Sequence, residues 1–328
     1  MRSIIVLFGL SFLVTPVFAH HSVAFYGDED VQLTGILVDV DFVNPHIRFR
    51  LEAQTEAGLS EIWTMESGSV QPLRRAGVTP DLFPIGQEVT VVGKQSTRQE
   101  RAMLATNMFL PDGKELLLWL NAFTLIDDDP LLVDAIADDK GIFRVWSVPV
   151  RNLVAAIAQI DTQPFTEAAV AGRASWNETD NFVTRCEPEG MPRIMVNPHA
   201  FEFVDRGSEF SLRTELYDIE RTIHMDRETP PGDEPWSRLG YSVGSWDGND
   251  LVVRTTRINW PYFDTIGTPQ SEDVAVVERF VLSNDQSRLD FEVTVTDPQT
   301  FTRPVVLRGY WLALGATIPR YDCVPVGQ

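Results

Sequence analysis

Five histidines are the residues of this sequence best suited to chemistry: His20, His21, His46, His199 and His224. If a leader is removed ahead of His20, its α-amine and its imidazole belong to one residue, and nitrogen donors so arranged suit Cu(II). His21 stands next to it, and His46 ends the tripeptide Asn44-Pro45-His46. Together the three histidines predict a copper or zinc site. The alternative is a frayed terminus, with His46 packed in a domain.

Further catalytic candidates lie in the second half of the chain. His224 falls on a predicted strand near Asp226, and a histidine beside a carboxylate can act as a base or a ligand. Glu215 and Glu272 suit acid–base chemistry if they face a dry cavity. Such residues would serve a cofactor-free isomerase or lyase. The alternatives are a structural histidine and solvated carboxylates. Asn197-Pro198-His199 repeats the earlier tripeptide, which is too short to establish a repeat.

Aromatic residues are dense in the last third of the chain, and ligand pockets favour them. Six are predicted to line a pocket for a small hydrophobic molecule: Trp236, Tyr241, Trp246, Trp260, Tyr262 and Tyr310. The alternative is ordinary β core. The sequence has no His-Glu-x-x-His helix, Walker loop or dinucleotide fingerprint, so zinc-protease and nucleotide-dependent chemistry lose their usual support.

Composition limits the partners. The 328 residues include 47 acidic and 27 basic ones, for a net charge of −20. Such a surface repels phosphate backbones and anionic membranes, so nucleic acid is not an expected partner. A cationic or neutral apolar ligand, or a metal ion, suits this field better, although the charge also serves solubility. A hydrophobic fraction of 44% predicts folded domains, about two by length, and excludes wholesale disorder.

The pattern of residues 1–19 predicts a secretory signal peptide. Arg2 supplies a positive charge, Ile4–Val14 is apolar, and Val17 and Ala19 are small residues ahead of a cleavage point. No later stretch reaches about 18 apolar residues, so no membrane span is expected. The sequence therefore predicts export to the periplasm or the medium.

Only two cysteines are present, Cys186 and Cys323. An oxidising compartment favours their pairing, and a bridge would close a long loop. The alternative is a metal site with cysteine ligands, but the sequence lacks the Cys-x-x-Cys spacing that is usual for such sites.

Short strands must position most of these residues, which makes the fold class mainly β. Residues 20–115 contain five β runs with room for a helix between the third and fourth, the order of a small OB-like barrel. Residues 116–185 predict a linker with two short helices, at 131–137 and 152–160. Residues 186–328 contain about nine antiparallel runs, which predict a sandwich or a lipocalin-like barrel with space for one ligand.

Several motifs in residues 20–115 carry a resemblance: His20-His21-Ser22, Asn44-Pro45-His46, Trp63, Leu73–Gly77, Val89–Gly93 and Leu110–Gly113. They resemble a domain-of-unknown-function family of secreted bacterial proteins that open with His-His-Ser and carry Asn-Pro-His. Its longer members are similar in the second half, at Cys186–Arg193 and Gly244–Val253. Where those members tend to have histidines, this chain has Tyr241 and Gln270. The resemblance implies architecture and export, with no assigned reaction.

The leading hypothesis is an exported protein that binds a small hydrophobic molecule inside the C-terminal barrel. Copper or zinc binding at the mature N-terminus and a cofactor-free isomerase or lyase are the alternatives. The oligomeric state is left open.

Overall fold

Two β assemblies account for most of the chain that the computed structural model describes, which comprises residues 26–55, 57–119, 139–149, 162–177, 180–229, 232 and 234–325. The predicted signal peptide, His20 and His21, and the two predicted linker helices lie outside these residues. Among the described residues, no helix combines the length and the apolar character needed to cross a membrane.

Six strands form the N-terminal assembly: β1 (Tyr26–Asp41), β2 (Arg48–Gln54), β3 (Ser60–Glu66), β4 (Glu88–Ser96), β5 (Ala102–Phe109) and β6 (Glu115–Leu117). Their order is β3-β2-β1-β4-β5-β6, and a parallel pairing of β3 with β5 joins the first five into a ring. Helix α1 (Val70–Arg75) lies between β3 and β4. The predicted OB-like order, with its helical insert, is confirmed.

Alternation along the strands directs apolar side chains into this ring. In β2, Phe49, Leu51 and Ala53 are buried while the residues between them are more exposed, as the two-residue period of a strand requires. Gly93 marks a close crossing, because a Cβ there would lie 2.0 Å from the carbonyl oxygen of Leu104 on β5. The ring therefore closes tightly at this position.

The C-terminal assembly is a closed barrel of nine strands: β7 (Val145–Ser147), β8 (Phe201–Asp205), β9 (Glu209–Thr214), β10 (Glu220–His224), β11 (Tyr241–Asp247), β12 (Asp250–Thr256), β13 (Ala275–Leu282), β14 (Arg288–Thr296) and β15 (Val305–Leu314). Neighbouring strands are antiparallel except β10 and β11, which pair in parallel. The predicted β-barrel is confirmed, and its strand pairs are antiparallel except for this one.

Strand β7 lies in the segment that the sequence pattern assigns to the linker. It has only three residues, too few for a period-two signal, yet it pairs with β15 on one side and β8 on the other and so completes the barrel. A helix that the sequence pattern did not predict, α2 (Glu167–Ala174), follows nearby. Its first turn is capped by the Thr166 hydroxyl, which accepts a hydrogen bond of 3.2 Å from the Ala169 amide.

Large aromatic side chains pack the interior of the barrel. Trp311 stacks on Phe201 at a centroid distance of 4.4 Å and contacts Phe280 at 5.7 Å. Phe203 meets Phe280 edge-on at 5.3 Å, and Trp146 is fully buried in the same core. These positions are occupied by side chains in van der Waals contact.

The segment 320–324 joins the two assemblies. Cys186 and Cys323 form a disulfide, which confirms the predicted pairing. Beside it, the Val324 amide donates a hydrogen bond of 3.0 Å to the Asn44 carbonyl, and the Asn44 side-chain amide donates to the Asp322 carbonyl at 3.3 Å. The segment 320–324 is thus bonded to the N-terminal ring and covalently tied to the barrel domain. Three short 3₁₀ helices, Phe182–Arg185, Arg193–Met195 and Leu216–Asp218, belong to the same region.

Candidate functional site

Three of the six predicted ligand-binding aromatics, Trp236, Trp260 and Tyr262, converge on one open groove of about 670 Å³. The groove lies beside the barrel strands, between the segment before β8 and the loops before β11 and after β12. Arg185, Glu187, Arg238 and Asn259 complete most of its wall. We refer to this feature, with its aromatic and charged wall, as the aromatic groove.

The other three predicted aromatics lie elsewhere. Tyr241 is buried and stacks on His224 at 4.4 Å. Trp246 is 47% exposed at the end of β11. Tyr310 lies under the guanidinium of Arg288, which is 4.0 Å from its ring centroid. Three of the six predicted aromatics therefore line one groove, and the other three lie apart from it.

Packing behind the aromatic groove fixes its shape. The ring of Phe182 meets Trp260 edge-on at 4.9 Å and stacks on Tyr262 at 5.7 Å. Gly190 lies directly against Trp260, where a Cβ would approach the indole Cγ to 2.5 Å, so only glycine fits. The indole N–H of Trp260 is buried and has no hydrogen-bond partner among the described residues.

Arg238 holds the segment that lies under the groove. Its guanidinium Nη1 donates to the Pro188 carbonyl at 2.7 Å, and its backbone carbonyl accepts from the Met191 amide at 2.9 Å. These two bonds fix the chain on both sides of Glu189. Together with the disulfide at Cys186, they hold in place the backbone from which the Glu189 side chain extends.

Glu189 belongs to a group of buried and half-buried polar side chains that we call the buried polar cluster: Glu189, Arg193, Tyr217 and Tyr321. Glu189 is only 2% exposed, and burial raises the pKa of its carboxyl group although the charge of Arg193 opposes this. Its Oε1 lies 3.7 Å from Nη2 of Arg193. Burial also raises the pKa of both tyrosine hydroxyls, whose rings are in edge contact at 4.9 Å.

Three atoms of the buried polar cluster have no hydrogen-bond partner among the described residues: Oε2 of Glu189, Nη1 of Arg193 and the hydroxyl of Tyr217. Tyr217 also has a left-handed backbone, with φ of 57°, which is uncommon for a bulky residue. Unusual backbone conformation and unused hydrogen-bonding groups are concentrated at functional sites.

An ion pair between the two assemblies lies next to this cluster. Glu215, which is fully buried at the end of β9, accepts from Arg75 of α1 at 2.7 and 3.0 Å, with one bond to each oxygen. Nδ1 of His199 lies 3.2 Å from Oε2 of the same carboxylate. Burial acts to raise the pKa of Glu215, but the bonds from His199 and Arg75 outweigh it and lower the pKa to about 2.

The two Asn-Pro-His tripeptides meet at this boundary. His199 presents Nδ1 to Glu215, and His46 presents Nδ1 to Glu66 through a short contact. Burial lowers the pKa of His199 despite the neighbouring Glu215, and the charges of Arg75 and His46 add to the lowering. The sequence pattern marks the repeated tripeptide, and the structure places both copies where the assemblies touch.

The remaining predicted catalytic residues do not converge. Glu215 is a poor base because its carboxylate is held ionised by two partners. Glu272 is exposed. Nδ1 of His224 lies 2.9 Å from Oε1 of Glu209, but the two groups are not aligned for a hydrogen bond.

The predicted metal site stays a prediction, because His20 and His21 lie outside the described residues. Within the described residues, no group of three or more histidine, cysteine, aspartate or glutamate side chains is arranged to hold a metal ion.

One catalytic pattern in the sequence is not a catalytic site. Gly240-Tyr241-Ser242-Val243-Gly244 matches the Gly-x-Ser-x-Gly nucleophile elbow, which requires a strand-to-helix turn. Here Ser242 lies within β11 and is buried. Its hydroxyl accepts from Arg221 Nε at 2.9 Å and lies 3.0 Å from the Thr255 hydroxyl. Ser242 therefore belongs to the barrel core.

Comparison with known families adds one finding. A family model described as a family of unknown function (DUF6152) matches residues 9–105. This range contains β1 to β4 and the first half of β5, the part of the chain that carries the predicted resemblance to a domain-of-unknown-function family. No curated protein matches the chain. The aromatic groove and the buried polar cluster lie outside the matched range.

Proposed function

We propose that this protein is an exported binding protein for a small, flat apolar molecule, and that the molecule lies in the aromatic groove. The observation that carries the proposal is the convergence of Trp236, Trp260 and Tyr262 on one open groove of about 670 Å³. This volume lies within the range of small-molecule sites, roughly 300–1,000 Å³. Flat rings are the natural partners of such a wall, because aromatic pairs gain from stacked and edge-on contacts.

The aromatic groove is a better location than the barrel interior. Inside the barrel, rings such as Phe201 and Trp311 already contact each other at 4.4 Å. A ligand there would have to displace packed side chains, and interiors of this density resist that. In the groove, Trp236 is 48% exposed and needs no such displacement.

Export is supported by the disulfide between Cys186 and Cys323, because such bonds persist in oxidising compartments. The predicted leader at residues 1–19 is a second, independent support from the sequence.

The experiment is a fluorescence titration with methyl 2-naphthoate, a neutral flat probe. Trp236→Ala should weaken binding about tenfold or more, since buried aromatic contacts dominate small interfaces. Trp246→Ala is the matched control, because the two tryptophans are 48% and 47% exposed and only Trp236 lines the groove. The control should bind within about twofold of the unmodified protein. Equal losses in both variants, or none in Trp236→Ala, would contradict the proposal.

A further inference from the structure

Asn259 differs from the buried asparagines of the chain in how its side chain is used. Asn44, Asn181 and Asn197 are buried, and the amide of each is bonded to backbone groups. Asn259 is exposed and lines the aromatic groove, and its side-chain amide has no hydrogen-bond partner within the described ranges of the chain. It therefore keeps an acceptor oxygen and two donor N–H groups available to a ligand.

The backbone at Asn259 is held beside the segment that carries Trp236 and Arg238. The Asn259 N–H donates to the Ser237 carbonyl at 2.7 Å, and the Ser237 N–H donates to the Arg257 carbonyl at 3.2 Å. The two segments thus form a short parallel bridge. Because the bridge fixes the origin of the Asn259 side chain, its amide has a defined place on a wall that is otherwise largely aromatic.

The charges on the wall favour a neutral ligand. Arg185 and Glu187 form an ion pair at 3.0 Å and offset each other. Arg238 bonds the Pro188 carbonyl at 2.7 Å, and among the described residues no carboxylate pairs with it. Its charge disfavours a cation, while the net charge of −20 slows the approach of an anion. A neutral molecule with a carbonyl oxygen meets neither obstacle.

We propose that the ligand is a neutral aromatic lactam, whose ring lies against Trp236 and Tyr262 and whose N–H and carbonyl both pair with the Asn259 side chain. The inference rests on the proposed function of the groove and names the chemical class of its ligand. A lactam of this kind is flat and apolar except along this one edge. The ligand N–H donates to Oδ1 of Asn259, and Nδ2 of Asn259 donates to the ligand carbonyl. The same two-bond arrangement lets asparagine recognise the adjacent donor and acceptor of adenine.

The test compares two bicyclic probes of the same shape, 1-isoquinolone and isocoumarin, by calorimetric titration into the full protein at neutral pH. The lactam carries a ring N–H where the lactone carries a ring oxygen, so only the lactam can donate to Oδ1. We expect the lactam to bind about fivefold more tightly or better, since it gains a hydrogen bond. Without the pairing it would bind no better than the lactone, because its N–H would lose water and find no acceptor.

Variants of Asn259 locate the preference. Asn259→Leu should abolish the preference for the lactam and change lactone affinity by less than about twofold, because it removes one hydrogen-bonding edge and keeps the aromatic wall. Asn259→Asp keeps the size of the side chain but replaces the donor by an oxygen, so it should lose part of the preference. If Asn259 only shapes the groove, the affinities for both probes should fall together.

Asn249→Leu is the matched control. Asn249 is exposed at the turn between β11 and β12 and does not line the groove. The same substitution there should leave the preference for the lactam unchanged.

The outcomes separate the two proposals. If the lactam binds no better than the lactone, or if the preference survives in Asn259→Leu, the lactam inference is wrong. The groove proposal still stands in that case if methyl 2-naphthoate distinguishes Trp236→Ala from Trp246→Ala. If neither bicyclic probe nor methyl 2-naphthoate binds, both proposals are wrong.

Discussion

Two arginines of the barrel domain differ in how their guanidinium groups are satisfied. Arg221, at the centre of the barrel, has five N–H groups and five acceptors: both oxygens of Glu278, the hydroxyls of Ser242 and Thr255, and the sulfur of Met195. In Arg193 of the buried polar cluster, Nη2 lies 3.7 Å from Glu189, and Nη1 has no hydrogen-bond partner among the described residues.

The difference separates a polar cluster whose groups are all bonded from one that has unused hydrogen-bonding groups among the described residues. A buried polar network whose members are all bonded stabilises one arrangement of the core and has no capacity left for a ligand. A cluster with unused donors is costly in isolation, and an acceptor from outside relieves that cost. The indole N–H of Trp311 in the barrel also lacks a hydrogen-bond partner within the described ranges, but that group is neutral and lies in an apolar core.

The largest expected effect is on the Arg221 network. Arg221→Met should lower the free energy of unfolding by about 3–5 kcal/mol, because Glu278 is left charged and buried without a partner. Urea denaturation at neutral pH measures the change. The double variant with Glu278→Met should recover most of the loss, since apolar replacement of a buried pair is often neutral. A loss below about 1 kcal/mol in the single variant would remove the structural role assigned to this network.

A smaller effect is expected at the ion pair between the two assemblies. The pKa of Glu215 falls from an ordinary value of 4.5 to about 2 in the folded protein. The folded state therefore binds this proton less readily than the unfolded state, and the stabilisation is complete above pH 4.5 and lost as the pH falls towards 2. Its size is about 3 kcal/mol, at 1.36 kcal/mol for each pKa unit.

Glu215→Gln tests this contribution through urea denaturation at a series of pH values. The variant should be less stable than the unmodified protein at neutral pH, and the difference should shrink between pH 4.5 and pH 2. A difference that stays constant across this interval would show that the Glu215 carboxylate stabilises the fold by packing alone.

The smallest expected effects come from removing one hydroxyl group, either from Thr255 or from Tyr217. Thr255→Val removes an acceptor from Arg221 and should cost about 1–3 kcal/mol. Tyr217→Phe removes a hydroxyl that has no hydrogen-bond partner in the part of the chain that the structure describes, and should change the free energy of unfolding by less than about 0.5 kcal/mol. Thermal and urea denaturation of both variants provide the comparison. A larger loss in Tyr217→Phe than in Thr255→Val would mean that the Tyr217 hydroxyl is bonded in the folded protein.

Alternating apolar residues and turn sequences were sufficient to predict the main features of the fold. They indicate the N-terminal ring and the antiparallel barrel, and the two cysteines indicate their own pairing. Strand β7 is not predicted in this way, because its three residues carry no periodic signal. Its pairing with β8 and β15 places it in the barrel.

The candidate site is only half visible in the sequence. Trp236, Trp260 and Tyr262 stand out by residue type, whereas Glu189 and Tyr217 resemble ordinary surface and core residues. Their unused hydrogen-bonding groups arise from tertiary packing, which no local pattern encodes. The segment Cys186–Arg193 does stand out as a motif, and it contains Glu189 and Arg193.

A crystal structure of the protein grown with methyl 2-naphthoate tests the central claim most directly, because it shows where the ring lies. We expect the ring against Trp236 and Tyr262 in the aromatic groove. A ring found among Phe201, Phe280 and Trp311 inside the barrel would contradict the account, as would a groove left empty at saturating methyl 2-naphthoate.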